Sequence, residues 1–86
     1  MESIGARIKS LRIEKKLTQK ELASLLNIGQ SSISEWEKNN YEPTASAIKL
    51  LAIFFNVSAD YLLGLEDEDG SKAKKYIFNI QNNYNK

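Results

Sequence analysis

The sequence predicts an all-α domain of five short helices, followed by one further amphipathic helix toward the C-terminal end. Two observations carry this. Apolar residues recur at spacings of three, four and seven, the period of a helix buried along one side. The runs are also punctuated, with Ser or Thr where a helix would begin and Asn or Gly where it would stop.

The first helix is expected from Ser3 to Lys15, with Ile4, Ile8 and Leu11 on its buried side. Thr18 then caps a second helix, and Glu21 three residues on completes a capping box. This helix runs to Leu26. Asn27 tolerates the left-handed conformation that ends a helix, and Gly29 removes side-chain constraint where the next one starts. A third helix is expected from Gln30 to Lys38, stopped at Asn39-Asn40. Leu22 and Leu26 before the break, with Ile33 and Trp36 after it, form the facing apolar stripes, and Ala23 is small enough to let the two helices cross closely. Trp36 is therefore a core residue. Thr44 caps a fourth helix that ends at Phe55 before Asn56, and Ser58 caps a fifth, Ala59 to Leu63, closed by Gly64.

The fourth helix is apolar on two sides. Ile48, Leu51, Ala52 and Phe55 form the stripe expected to face the core, and Leu50, Ile53 and Phe54 form a second that needs a cover. Leu65 to Ser71, LEDEDGS, is a charged stretch without periodicity, read as a linker. Beyond it Ala73, Tyr76, Ile77, Ile80 and Tyr84 share one side of a helix. The resulting organisation is a helical domain over 1–64, a linker over 65–71 and an amphipathic helix over 72–86. Tyr76, Ile77 and Ile80 are expected to cover Leu50, Ile53 and Phe54, within one chain or across a dimer. A frayed, Asn-rich tail is the alternative reading of the same residues.

Eighty-six residues enclose a single core. The chain contains neither cysteine nor histidine, which removes disulfides, thiolate chemistry, most zinc sites and the commonest general base. Ser31-Ser32 has no histidine to activate it, and Glu66 to Asp69 falls in the expected linker. Catalysis and a cofactor are therefore not expected. No apolar run reaches about eighteen residues, so no membrane span is expected. The start, Met1-Glu2-Ser3, lacks the regions of a signal peptide, and the expected location is cytoplasmic. Net charge is only +1, but Arg7, Lys9, Arg12, Lys15 and Lys16 crowd the first helix and its end. That cluster suits either a solvated helix end or a flank for a nucleic-acid backbone.

The third helix carries Gln30, Ser31, Ser34, Glu35 and Lys38 on its outward side, hydrogen-bonding groups of the kind that read base edges. The segment from Leu17 to Glu37, LTQKELASLLNIGQSSISEWE, resembles the helix-turn-helix of the lambda repressor-like (Cro/repressor, XRE-type) DNA-binding family. Leu17-Thr18-Gln19, Glu21-Leu22-Ala23, Gln30, Ser32, Ile33-Ser34 and Trp36-Glu37 carry the likeness, with Pro43, Val57-Ser58 and Leu62-Leu63-Gly64 extending it. It covers roughly residues 4 to 64. Asn27 stands where the family usually has glycine, and Gly29 where it usually has a Ser or Thr cap.

The resemblance implies a five-helix lambda repressor-like domain and a regulator that reads DNA through a major-groove helix. Gln30, Ser31, Ser34 and Glu35 are the expected base contacts. Gln19, Ser32, Lys38, Asn39 and Asn40 are the expected phosphate contacts, with Gln19 also bracing Gln30. Arg12 and Glu37 are expected to form a partly buried ion pair joining the first and third helices. The implied protein is a repressor that binds an inverted-repeat operator in double-stranded DNA as a homodimer. The second reading is a protein-interaction module of antitoxin or anti-repressor-binding type, in which Leu50, Ile53, Phe54 and the tail meet a protein partner and DNA affinity is secondary.

Overall fold

A computed structural model describes residues 2–67. The elements are α1 (Ile4–Glu14), α2 (Gln19–Leu26), α3 (Gln30–Glu37), α4 (Ala45–Phe55) and α5 (Ala59–Leu62). Each lies within a residue or two of its expected bounds, because the signals that set the bounds are local. Ser3, Thr18, Thr44 and Ser58 all accept a hydrogen bond from the backbone N–H three residues on. Thr18 and Glu21 close the full capping box, with Thr18 N–H donating to Glu21 Oε1 at 2.9 Å. The ends are equally local. Asn27, Asn39 and Asn56 take φ of 56°, 62° and 55°, the left-handed conformation that frees a helix's last carbonyls for closing bonds.

Ile8, Leu22, Ile33, Leu51 and Leu62 are fully buried, one from each helix, so a single core draws on every element. Trp36 lies in the same core at 8% exposure. The α2–turn–α3 unit packs as a pair, α1 lies against α3, and α5 bridges α4 and α1. α1 approaches α3 closely at Gly5: a Cβ there would strike the Trp36 carbonyl and lie 2.6 Å from Asn39 Oδ1. The Gly5 N–H donates to that same Oδ1 at 3.3 Å.

Three expectations need correction. Arg7 does not belong to an exposed basic cluster, since only 4% of it reaches solvent. Its Nη1 donates to the carbonyls of Tyr61 (3.0 Å) and Glu66 (2.9 Å), and the guanidinium lies over the Tyr61 ring. Burial is tolerated because carbonyls and the ring face satisfy part of the charge. The start of the expected linker is likewise fastened to the body, through that Glu66 carbonyl and through Ser58 Oγ, which donates to Glu66 Oε1 at 3.0 Å. Finally, the second stripe of α4 is split. Ile53 (69%) and Leu50 (38%) are exposed, whereas Phe54 packs against the core, edge-on to Phe55 at 5.0 Å. The expected helix over 72–86, with Tyr76, Ile77 and Ile80, lies outside the described residues.

Candidate nucleic-acid interface

The outward face of α3 follows from its sequence and from what holds its other side. Ile33 and Trp36 are buried and fix the rotation of the helix. At about 100° per residue, Gln30, Ser34, Lys38, Ser31 and Glu35 then fall within one sector of about 140°. Gln30, Ser31 and Lys38 are exposed, and Ser34 and Glu35 are half-buried. The four expected base-reading residues thus share one face, and Ser32, half-buried, falls in the opposite sector beside Trp36. Gly29 starts the helix without a side-chain cap, so its first N–H groups lack the hydroxyl acceptor that serves each other described helix.

The C-terminal end of α3 is held by charge. Arg12 forks onto Glu37, with Nε to Oε2 at 2.7 Å and Nη2 to Oε1 at 2.9 Å, and its Nη1 reaches the Leu17 carbonyl at 2.8 Å. The side chains are 12% and 4% exposed. Burial pushes the Glu37 carboxyl up, but the bonds from Arg12 and Gln19 outweigh it and hold the group below the ordinary carboxylate range. The same bond raises the Arg12 guanidinium above its usual value. Glu21 is also held low, by the Thr18 backbone N–H first and its hydroxyl second.

Gln19 departs from its expected partner. Its Nε2 donates to Glu37 Oε1 at 3.1 Å instead of bracing Gln30. A buried carboxylate is the stronger acceptor, and Glu37 lies two turns along the same side of α3 from Gln30, within reach of Gln19 at the start of α2. Asn39 and Asn40, expected on the phosphate track, also work inside the protein. Asn39 Oδ1 receives the Gly5 N–H, and Asn40 Nδ2 donates to Glu35 Oε2 at 2.8 Å. This last contact joins two residues that sequence reasoning assigned to separate roles. Nothing in the local pattern announces it, because it depends on the loop conformation after α3.

Among the described residues no group of three or more acidic side chains is placed to hold a metal ion. A surface groove of about 520 Å³ borders Leu11, Glu14, Asn56, Tyr61 and Glu66. It contains none of the expected DNA contacts and carries carboxylates, which disfavour a polyanion. No helix among the described residues is long and apolar enough to cross a membrane.

Known proteins share this arrangement. Residues 5–68 match the family described as a helix-turn-helix domain. The chain is 39% identical over 77 residues to the HTH-type transcriptional regulator ImmR of Bacillus subtilis (strain 168), covering 90% of this chain and 60% of that regulator. It therefore spans less than two thirds of ImmR's length. The P22 c2 repressor protein, solved in complex with a synthetic operator, superposes with a TM-score of 0.69 at 30% identity, over 73% of this chain and 96% of that one. The SinR protein/SinI protein complex gives a TM-score of 0.66 at 26% identity, over 94% and 78%. With the family match spanning most of the chain, five helices in register and a polar α3 face set by Ile33 and Trp36, the chain belongs to the lambda repressor-like, XRE-type helix-turn-helix DNA-binding family.

Proposed function

We propose that this chain is a sequence-specific DNA-binding transcriptional regulator, acting as a repressor. The observation that carries the reading is the face of α3: Gln30, Ser31, Ser34 and Glu35 lie together, outward, on a helix whose opposite side is locked in the core. Gln30 at the helix start bonds adenine N6 and N7 together, and Glu35 one turn later accepts from an exocyclic amine. Gln19, Ser32, Lys38 and Asn39 meet the phosphate track on either side and set the register, while the Asn40 amide stays on Glu35. The similarity to a repressor solved on its operator supports the same use of the helix here.

One such helix buries too little surface to hold an operator tightly at physiological salt. Two copies, with recognition helices about one helical turn of DNA apart, bind an inverted repeat tightly enough. The exposed Leu50 and Ile53 are the surplus apolar surface that supports a homodimer. Those same residues, together with the similarity to SinR in its complex with SinI, favour a second reading as a surface for a protein partner.

Selection of bound duplexes from a random-sequence pool at about physiological salt tests the proposal. Enrichment of an inverted repeat supports the dimeric, sequence-reading regulator, and Gln30→Ala then relaxes one position in each half-site. Weak binding that enriches no sequence and fades as salt rises overturns it in favour of the protein-interaction module.

A further inference from the structure

We propose that Asn40 is a positioning residue that aims the Glu35 carboxylate, so that the pair reads a cytosine in the major groove. The inference rests on the DNA-reading role proposed for α3. It starts from the 2.8 Å bond in which Asn40 Nδ2 donates to Glu35 Oε2. An ionised carboxylate only accepts, through two oxygens. With Oε2 engaged by the amide, Oε1 is the oxygen presented to a base.

The amide is neutral, and the free carboxylate oxygen, which only accepts, repels other acceptors. Guanine presents two acceptors in the major groove and thymine one beside its methyl group. Adenine offers an amine, but with the N7 lone pair next to it. Cytosine presents N4–H₂ with no acceptor on the same edge, and is the base such an oxygen selects.

The bracket that holds the pair is built from backbone. Asn40 N–H donates to the Glu35 carbonyl at 3.0 Å, so the two residues are joined twice. Asn39 between them takes the left-handed conformation, and its Oδ1 is held by the Gly5 N–H. Gly5 in turn is lodged against the Trp36 carbonyl. The amide is therefore delivered to Glu35 by a chain of contacts that begins in α1, and the carboxylate is oriented before DNA arrives.

Binding of the full chain to the selected duplex, and to duplexes altered at single positions, tests this with Asn40→Ala, Glu35→Ala and the double variant. The expected wild-type preference for cytosine at the position read by Glu35 is about tenfold, the worth of one charge-assisted bond. Asn40→Ala loses most of that preference, leaves the position read by Gln30 unchanged, and adds nothing on the Glu35→Ala background. Asn40→Asp, which keeps the shape and removes the donor, loses the same preference. If Asn40→Ala weakens every duplex equally, or its effect adds to that of Glu35→Ala, Asn40 is a phosphate contact and the proposal fails. A wild-type protein without any sequence preference fails earlier, and removes the reading of α3 itself.

Discussion

The guanidinium of Arg7 lies 4.2 Å from the centroid of the Tyr61 ring while its Nη1 donates to the Tyr61 carbonyl at 3.0 Å, so one cation is bound by both ends of the same residue. A second bond from that nitrogen to the Glu66 carbonyl ties α1 to the segment that follows α5. Arg7 Nε, also buried, has no partner among the described residues. The side chain therefore works as a bracket between helices and carries part of its burial uncompensated.

Replacing Arg7 separates these contributions. Arg7→Lys keeps the charge but loses the planar group that covers the ring and bridges two carbonyls, and the expected loss is about 1–3 kcal/mol. Arg7→Met removes the charge and strands both carbonyls, for a loss in the same range. Urea unfolding of the two variants checks this. A Met variant as stable as the wild type would mean that the carbonyl bonds carry no net weight.

The approach of α1 to α3 allows no side chain at residue 5. In Gly5→Ala the new methyl meets the Trp36 carbonyl, which is backbone and cannot swing aside. The helices must separate, with an expected loss of about 1–3 kcal/mol. This exceeds any gain of roughly 1 kcal/mol from better helix propensity. A thermal melt showing equal or higher stability would contradict the close approach.

Removal of Glu37 leaves Arg12 without its main partner in a mostly buried position. The expected loss at neutral pH is about 3 kcal/mol, at the lower end for a broken buried pair because Arg12 retains the Leu17 carbonyl. The pH dependence has a definite sign. Glu37 titrates lower in the folded than in the unfolded chain, so its contribution is complete above the ordinary glutamate value of about 4.3 and is lost as pH falls through the depressed folded value. The stability gap between wild type and Glu37→Ala therefore narrows only in acid. With no histidine in the sequence, the wild-type profile is expected to stay nearly flat from about pH 6 to 8.

At the start of α3 a cap can be restored. Gly29 has φ −67° and ψ 141°, ordinary for a capping residue, and an added Cβ would meet only Ser31 Oγ at 3.7 Å. Gly29→Ser supplies the missing acceptor and is expected to stabilise by a few tenths of a kcal/mol. Chemical denaturation reads the change, and a destabilised variant would show that the helix start needs the glycine.

The five helices were legible because their signals sit within a few residues: Thr18 with Glu21, Thr44 before Ala45, and Asn27 and Asn56 at the stops. The α3 face was legible because Ile33 and Trp36 fix one side by periodicity alone. Contacts between distant residues were harder. Arg7 lies on the stripe of Ile4, Ile8 and Leu11, three residues from one and four from another, and that placement was the available sign of burial. Gly5, a glycine inside a helix, was the corresponding sign of close packing. The bonds from Gln19 to Glu37 and from Asn40 to Glu35 had no such sign. They depend on where α1 leaves the end of α3 and on the left-handed turn at Asn39.

α1 grips the C-terminal turn of α3 at two points seven residues apart, Gly5 against Trp36 and Asn39, and Arg12 on Glu37. The outward face of α3, the proposed reading surface, is thereby held in place by the protein's own contacts. Calorimetry of its association with a cognate duplex is then expected to report a heat-capacity change set by the area that becomes covered. The larger signature of segments that fold on contact is not expected from residues 2–67.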